Sequence, residues 1–480
     1  MASTSPGPLP TFSAVARMNR IPVATRSHKI WVFLLCGVFM FELADLNTFG
    51  FAAPALIKHW GASVGAIGGI TSAAFFGMFV GALVGGRVAD RVGRKRALIG
   101  ASAFYSIFSL LSAASINLPM LGVFRVLTGV GMEAMTVVGL TYVSEMYPRT
   151  LRGRYQALIL GVGLIGIPGM SWFARWAVPL GPNGWRLIFV LGAFGLVVAV
   201  LMITLLPESI RWQEGTGRKD EAEALLSKLE DEARAKTGGE LPEPSAEQAV
   251  TTPGRLSELF RGRYVRRTVV LCVVWVFGIL GFYGFNGWIP TLLVEHGYGT
   301  LESLTYTSIV TLGVIPGALL AWPITDRWER KFALLAFEII LGVLVLIYGF
   351  VPVTAVILVV GFLISMFLQT QTAFLYAYTP EVFPTRLRGV GSGLPNGMGR
   401  LAGFAGGFLV AGIFGGFGYT AVFIYVMAAL VLAGLILAVF GERTSRRALE
   451  DIGETTETER VTPPPAGERA PVRGKRMTGH

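Results

Sequence analysis

The chain has 480 residues, of which 53% are hydrophobic and only 15% are charged. A soluble domain usually carries about 25% charged residues, so this composition argues against an ordinary soluble protein. The formal net charge of +11 would suit a nucleic-acid-binding protein, but the basic residues cluster in short loops between apolar segments, and we expect no nucleic-acid partner.

Apolar runs close to the roughly 20 residues needed to cross a bilayer recur along the whole chain. They predict an all-α membrane protein whose twelve transmembrane helices contact the lipid bilayer. In chain order, the predicted spans are 30–57, 65–86, 97–115, 119–142, 155–175, 187–206, 268–293, 304–323, 332–350, 354–378, 390–413 and 418–440. The segment before them, 1–29, lacks the apolar core and the cleavage site of a signal peptide, and we expect it to stay in the cytoplasm.

The basic residues also predict the orientation of the spans. If the N-terminus is cytoplasmic, the cytoplasmic loops include the basic clusters at 87–96, 149–154, 327–331 and 386–388. The opposite side then holds only Lys58, Arg175 and Arg186. Because the excess of Lys and Arg lies in the cytoplasmic loops of membrane proteins, we expect both termini in the cytoplasm and a multi-pass protein of the cell (inner) membrane.

A set of residues recurs at one constant shift of 236 positions, as from Asp90 to Asp326 and from Pro54 to Pro290. The other matches are Arg91, Arg94, Lys95, Tyr142, Glu145, Pro148 and Arg152 with Arg327, Arg330, Lys331, Tyr378, Glu381, Pro384 and Arg388. Separated matches in one register indicate a duplicated six-span unit. Since each unit has an even number of spans, both halves share one orientation, which predicts two six-helix parallel-repeat bundles with a substrate site between them.

These features divide the chain into an N-terminal bundle at 30–206 and a C-terminal bundle at 267–441. The linker between them, 207–266, is polar and contains a charged, helix-favouring stretch from Lys219 to Lys236. It is therefore predicted to be cytoplasmic and partly helical. The polar tail at 442–480 contains a Pro-Pro-Pro run and is predicted to be largely disordered in the cytoplasm.

The loop Gly86-Arg87-Val88-Ala89-Asp90-Arg91-Val92-Gly93-Arg94-Lys95 lies between the second and third predicted spans. It could be a plain positive-inside loop, but it closely resembles the loop signature of the major facilitator superfamily. In that family the loop latches the cytoplasmic side closed through charge pairs, which implies that Asp90 and Arg94 pair with partners such as Glu145 and Arg152. The implied gating residues are Asp90, Arg91, Arg94, Lys95, Glu145 and Arg152, with Asp326, Arg327, Arg330, Glu381 and Arg388 in the second half.

The second copy of this loop departs from the pattern, because Trp328-Glu329 replaces Val92-Gly93. We therefore expect its latch to work differently.

Two further segments resemble sugar porters and metabolite symporters. They are Arg125-x-x-x-Gly129-x-Gly131 followed by Tyr142-x-x-Glu145-x-x-Pro148-x-x-x-Arg152-Gly153, and Pro207-Glu208-Ser209-Ile210-Arg211-Trp212 after the sixth span.

Two acids in the first span, Glu42 and Asp45, are the predicted proton-coupling residues, with Arg125 in the fourth span as their counter-charge. Charges at membrane depth are costly and usually mark an ion or substrate path. At i and i+3 the two carboxylates share a helix face, and their repulsion favours protonation of one. In proton-coupled sugar porters the positions of Asp45 and Arg125 form such a couple, and the Glu42-x-x-Asp45 spacing resembles aromatic-acid:proton symporters. A structural ion pair between helices is the alternative.

Arg400 in the eleventh span is a candidate ligand for an anion, because a guanidinium can hold a carboxylate through two hydrogen bonds. Snorkelling, or pairing with a neighbouring span, is the alternative. Glu133 in the fourth span stands where relatives in this family often have glycine, so it is a candidate substrate ligand whose role is open. Glu338 in the ninth span is expected to be peripheral.

The seventh span mixes glycine, aromatic residues and one amide, which would suit a broken helix facing a flat solute. Its candidate ligands are Tyr283, Asn286 and Trp288. Sugar porters carry a glutamine pair ahead of the glycine here, whereas this chain has Leu280 and Gly281, which counts against a hexose. The remaining predicted substrate-binding residues are Phe41, Gln369 and Gln371, and the two glutamines could instead bond neighbouring helices.

The leading hypothesis is a secondary transporter that moves a small organic acid with protons by alternating access, and an aromatic acid is one candidate for this solute. A sugar or polyol porter, a proton-coupled exporter and a non-transporting solute sensor are the alternatives. An enzyme is disfavoured, since the sequence has only four histidines in no metal-binding spacing and lacks a nucleophile elbow or phosphate loop. The implied partners are a small solute and protons, with no cofactor and no metal, and we expect a monomer.

Overall fold

The structure is a computed structural model that describes residues 13–244, 254–325, 329–351 and 353–444. Its ordered elements in these ranges are α-helices with three short 3-10 turns. Twelve of the helical spans are long and apolar enough to cross a membrane. Large apolar side chains cover the outer surface of the bundle, as at Phe33 (76% exposed) and Phe417 (82% exposed), and such a surface requires lipid. The protein is therefore an all-helical, multi-pass membrane protein.

The first half begins after a short helix α1 (Ala14–Asn19) and contains six spans. Its helices are α2 (Arg26–Trp60), α3 (Val64–Val92), α4 (Arg94–Ala113), α5 (Leu118–Met146), α6 (Arg149–Gly163), α7 (Gly166–Ala177), α8 (Trp185–Gly192) and α9 (Gly195–Leu205). The pairs α6–α7 and α8–α9 each form one span. Most spans begin or end a few residues beyond their predicted bounds, because the polar ends of the helices continue past the apolar stretch.

The linker contains α10 (Ile210–Gly215) and α11 (Lys219–Thr237), and the second half again has six spans. Its helices are α12 (Tyr264–Asn286), α13 (Ile289–Glu295), α14 (Thr300–Thr311), α15 (Val314–Thr325), α16 (Arg330–Phe350), α17 (Thr354–Glu381), α18 (Arg388–Phe417) and α19 (Tyr419–Phe440). The helix predicted from Lys219 to Lys236 is α11. The predicted tail lies almost wholly outside the described residues.

The two halves repeat one packing device at the shift of 236 residues. A Cβ atom on Gly77 or Gly81 of α3 would overlap the backbone carbonyl of Val126 or Val130 of α5. Gly313 and Gly317 stand in the same relation to the carbonyls of Phe362 and Met366 on α17. Small residues let membrane helices approach until their backbones touch. The two halves therefore share this close helix packing as well as the loop motifs.

The halves close against each other on one side of the membrane only. We call the side that carries Arg94 and Arg330 the basic side. On the opposite side, one apolar cluster combines both halves, including Phe51 and Trp185 with Trp288 and Leu292. Hydrogen bonds add to this closure, and they join Ser171 to Ser308 at 2.9 Å and Arg175 to Thr305 at 2.9 Å.

Two further apolar clusters lie on the basic side, and each draws its residues from one half and its adjoining segments. The first contains Trp31, Tyr142 and Leu226, and the second contains Trp275 and Phe383. Among the described residues, apolar packing on this side therefore does not join the halves. The bundle is closed on the opposite side and open toward the basic side.

Candidate functional site

A cavity lies between the two halves near the middle of the membrane. Its lining is mainly apolar and aromatic, with Asn47, Thr71 and Arg125 as polar side chains from the first half. The second half contributes Tyr283 and Trp288. The Tyr283 ring stands edge-on to the ring of Phe75, with centroids 4.6 Å apart, so aromatic rings of both halves meet at the cavity.

Asp45 and Arg125 form a buried ion pair within the first half. The distance from Asp45 Oδ2 to Arg125 Nη1 is 2.9 Å, and the side chains are 0% and 2% exposed. Ser109 Oγ donates to the other carboxylate oxygen at 2.6 Å, and Arg125 Nη2 donates to the Asp45 carbonyl at 3.3 Å. The carboxylate is therefore fully engaged, and the guanidinium beside it reaches the cavity wall. Their role in proton coupling stays a prediction.

Glu42, one turn before Asp45, has different partners. Its Oε1 accepts a hydrogen bond from Thr136 of α5 at 3.3 Å, and its side chain is buried. Asp45, Glu133 and Arg400 all lie within electrostatic reach of it. The two acids of the first span thus share a helix face as expected, but they serve two separate clusters.

Glu133 and Arg400 form the second intramembrane ion pair, with 3.0 Å between Glu133 Oε2 and Arg400 Nη2. Glu133 belongs to α5 in the first half and Arg400 to α18 in the second, so this pair crosses between the halves. The side chains are 7% and 12% exposed. Pairing with a neighbouring span was the alternative for Arg400, but Glu133 was not predicted as the partner.

Tyr376 of α17 is a site residue that the sequence did not reveal. It is 49% exposed and lies near the Glu133–Arg400 pair, within electrostatic reach of both residues, so it faces the space between the halves and not lipid. Its hydroxyl accepts a hydrogen bond from Asn396 at 3.1 Å, and its ring stands edge-on to Trp275 at 4.8 Å. An aromatic residue in an apolar run carries no signal of which way it faces.

Several predicted substrate ligands lie away from the cavity lining. The Phe41 ring packs against Phe194, with centroids 6.1 Å apart. Gln371 donates to Glu338 at 2.8 Å, and Asn286 donates to the carbonyl of Phe282 in its own helix. Gln369 is buried beside Gly317. The Gln371 side chain thus bonds another helix, which was the alternative for the glutamines, and the Asn286 side chain bonds its own backbone.

Glu338, which was expected to be peripheral, is 2% exposed and does not line the cavity. It lies on α16, where Gly434 of α19 packs against its Cβ and Gln371 of α17 bonds its carboxyl group. A glutamate in the ninth span is tolerated there because this amide supplies a hydrogen bond within the second half.

The predicted gating residues form matching ion pairs in the two halves. Arg94 pairs with Glu145 at 3.0 Å and with Asp90 at 3.0 Å. At the shifted positions, Arg330 pairs with Glu381. Each of these pairs lies within one half, so in this conformation they attach loops to their own bundle and do not latch the halves together.

The other gating candidates make weaker or different contacts. Lys95 Nζ donates to the carbonyl of Ile203 at 2.7 Å, and Arg388 Nε donates to that of Phe383 at 3.4 Å. Arg152 has a buried Nε without a hydrogen-bond acceptor among the described residues, and Arg91 is exposed. Asp326 and Arg327 lie outside the described residues.

The unusual second copy of the loop has a structural explanation. In the first half, the carboxylate that accepts a backbone N–H belongs to Glu208, which bonds Lys95 N at 2.9 Å. In the second half, the shifted position of Glu208 is Thr444, and that of Gly93 is Glu329. Thr444 N donates to Glu329 Oε1 at 3.1 Å. In the first half the acid, Glu208, lies in the segment after the sixth span and accepts from the loop side. In the second half the acid, Glu329, lies in the loop and accepts from the segment after the twelfth span, so a hydrogen bond between the two segments is present in both halves.

Comparison with known proteins places this geometry in a family. Residues 34–407 match the profile of the Major Facilitator Superfamily. The chain is 38% identical over 443 residues to the putative metabolite transport protein YyaJ of Bacillus subtilis. This alignment covers 92% of this chain and 98% of that protein. It is 30% identical to the niacin transporter NiaP of Acinetobacter baylyi, over 92% of this chain and 99% of that one.

Two further similarities are informative. The 4-hydroxybenzoate transporter PcaK of Acinetobacter baylyi is 28% identical over 90% of this chain and 94% of its own. Among solved structures, a partially occluded inward-open form of the xylose transporter XylE from E. coli superposes with a TM-score of 0.69 at 17% identity, covering 86% of this chain and 99% of that one. The latter likeness establishes the fold.

Proposed function

The chain belongs to the major facilitator superfamily and is a secondary transporter rather than an enzyme; within that family, we propose that it takes up a small aromatic carboxylate together with protons. The observation that carries this proposal is Arg400, whose guanidinium is 12% exposed and is held between the halves by the carboxylate of Glu133. An arginine in this position supplies a binding site for an anion. The basic side would be the cytoplasmic side of the cell membrane, and the unit of transport a monomer.

The lining of the cavity supports a flat, weakly hydroxylated solute. Phe75, Tyr283 and Trp288 offer ring faces and edges that suit aromatic contacts. Asn47 and Thr71 already donate to the carbonyls of Leu43 and Ile67 in their own helices. A sugar would leave most of its hydroxyl groups without partners on this surface, so the lining favours an organic acid over a hexose.

Two relatives support the same class of solute. The names of the niacin transporter and the 4-hydroxybenzoate transporter specify aromatic carboxylic acids. Each is aligned with this chain over nine-tenths of it or more. Nicotinate and 4-hydroxybenzoate are therefore the first compounds to test.

Coupling would arise from the acids of α2. Protonation of Asp45 would loosen its hold on Arg125, and protonation of Glu42 would change the charge around Glu133 and Arg400; either would bias the two bundles to rock about the cavity. An unpaired charge is costly at this depth, so a carboxylate that loses its arginine partner would be protonated. The solute-bound and empty states would therefore differ in protonation as well as in the arrangement of the two bundles.

The test is uptake of radiolabelled nicotinate and 4-hydroxybenzoate into proteoliposomes under an imposed proton gradient. We expect accumulation that a protonophore abolishes. Asp45→Asn should lose gradient-driven accumulation but keep counterflow exchange, since the asparagine fills the same space without titrating. Accumulation that is indifferent to the gradient, or unchanged in Asp45→Asn, would contradict coupling at this residue.

A further inference from the structure

The Glu133–Arg400 ion pair differs from the other ion pairs described above because it joins the two halves. Asp45–Arg125, Arg94–Glu145 and Arg330–Glu381 each lie within one half. Pairs of that kind can travel with a bundle that moves as a rigid body. A pair that bridges the bundles must be made or broken when they rock, so its charge state is linked directly to the transport cycle.

This pair lies between the cavity and the open basic side. On α5 the cavity lining includes Met132, and Glu133 is the next residue toward the basic side. On α18 the lining includes Gly403, and Arg400 is one turn closer to the basic side. The exposed ring of Tyr376 marks the space beyond. A solute leaving the cavity toward the basic side therefore passes Arg400.

The charges around the pair do not balance. Asp45 and Arg125 neutralise each other, which leaves the carboxylates of Glu42 and Glu133 to share the guanidinium of Arg400. In the part of the chain that the structure describes, the other titratable groups that face this cluster are the hydroxyls of Tyr105, Tyr283 and Tyr376 on neighbouring helices. One negative charge is thus in excess when both glutamates are ionised.

This excess restricts what a carboxylate ligand can do. If such a ligand bound Arg400 while Glu133 stayed ionised, Glu133 would be left as a buried charge without a partner, which is strongly unfavourable. Protonation of Glu133 removes the conflict, because the neutral acid no longer needs the guanidinium. Binding of the ligand carboxylate and protonation of Glu133 should therefore occur together.

We propose that Arg400 exchanges its carboxylate partner between Glu133 and the transported acid, and that Glu133 takes up a proton when it releases Arg400. The proton comes from water on the side opposite to the basic side and converts the Glu133 carboxylate to the acid. The solute carboxylate then pairs with Arg400. On the basic side the solute leaves as an anion, the proton leaves to water, and Glu133 pairs with Arg400 again, as in this structure. Through this exchange each cycle moves one proton on Glu133 with one monocarboxylate, beside any proton that the acids of α2 carry. The exchange rests on the proposed function.

The experiment measures equilibrium binding of radiolabelled nicotinate and 4-hydroxybenzoate to the purified full chain between pH 5.5 and 8, a range in which both are carboxylates. For the wild type, Kd should rise with pH, with a limiting slope of about tenfold per pH unit for one linked proton. Glu133→Gln mimics the neutral acid, so it should bind at every pH with a Kd that does not change. Glu338→Gln is the matched control, since it alters another buried membrane glutamate within the second half, and should keep the wild-type slope.

The outcomes separate this inference from the proposed function. A pH slope that persists in a monodisperse Glu133→Gln would overturn the exchange and leave the substrate class intact. Loss of binding by the same folded variant would also overturn it, because Glu133 would then be a solute ligand. If Glu133→Gln does not fold, Glu133→Ala takes its place with the same expectation. Failure of the wild type to bind either acid at any pH would overturn the substrate class, and the exchange with it.

Discussion

The carboxylate of Glu208 occupies the space that a side chain on residue 93 would need. A Cβ atom on Gly93 would overlap Glu208 Oε2, and Gly93 has a φ of +99° that side-chain-bearing residues rarely adopt. Glu208 in turn accepts a hydrogen bond from Lys95 N at the start of α4, where a negative charge is stabilising. The glycine of the loop motif and the acid after the sixth span are therefore two parts of one contact.

Gly93→Ala should consequently destabilise the first half. The backbone strain alone costs about 1–3 kcal/mol, and the displaced carboxylate weakens the cap on α4. We expect a lower Tm in detergent, measured by scanning fluorimetry, and reduced uptake. Gly86→Ala in the same motif is the control, because nothing lies within 4 Å of a Cβ there. Equal melting curves for the two variants would show that the contact is unimportant.

The glycines of the repeat allow a test of structural symmetry. Gly81→Ala on α3 and Gly317→Ala on α15 each push a Cβ into a backbone carbonyl of the neighbouring helix. Overpacking of this kind costs about 1–3 kcal/mol, and both variants should lose thermal stability to a similar extent. Gly153→Ala and Gly389→Ala, which occupy matched open positions, should melt like the wild type. Loss of stability in one half alone would argue against equivalent packing.

The N-terminal segment is attached to the linker by a clamp of ion pairs centred on Glu230, and Glu223 adds a second carboxylate to Arg17. Glu230 of α11 is 3% exposed and pairs with Arg17 at 3.0 Å and with Arg20 at 2.7 Å. Burial tends to raise the pKa of Glu230, but the hydrogen bonds from Arg17 and Arg20 outweigh it and hold the pKa below its usual value. The clamp is thus stabilised above the unfolded-state pKa of about 4.3 and weakens only as the pH falls through the lower folded-state pKa.

Glu230→Gln should release this clamp at neutral pH. The amide carries no charge to pair with two guanidinium groups, so trypsin should cleave after Arg17 and Arg20 severalfold faster than in the wild type. Wild-type cleavage should stay slow throughout the pH range in which trypsin works, because Glu230 is ionised there. Glu240→Gln, a change at an exposed position just beyond the same helix, serves as the control. The same cleavage rate for all three proteins would contradict the clamp.

The sequence predicted the architecture well because its signals are local or repeated. Span length follows from bilayer thickness, and the shift of 236 residues indicated the duplication before any coordinates. The pairing of Arg330 with Glu381 follows from that of Arg94 with Glu145 by the same shift. Asp45 and Arg125 were also named as a couple, since an acid and an arginine at membrane depth need each other.

The rest of the site depends on helix rotation and on how the halves meet, which span length does not encode. Phe41 and Tyr376 are both aromatic residues in apolar runs, yet one packs on Phe194 and the other faces the space between the halves. Glu133 and Arg400 are 267 positions apart in the chain and belong to different halves. No repeat or motif links them, so their pairing could be found only from the packed bundle.

Closure on the side opposite to the basic loops leads to a final prediction about motion. Ser171 Oγ and Ser308 Oγ, which belong to different halves, lie 2.9 Å apart. If the halves must separate here to admit the solute, a covalent link at this point should stop transport. In a background that lacks Cys36 and Cys272, Ser171→Cys with Ser308→Cys should form a disulfide on mild oxidation. Uptake should then fall to background and return on reduction, whereas each single variant stays active under both conditions. Full uptake by the oxidised double variant, with the disulfide verified by its resistance to maleimide labelling, would mean that this contact does not open during the cycle.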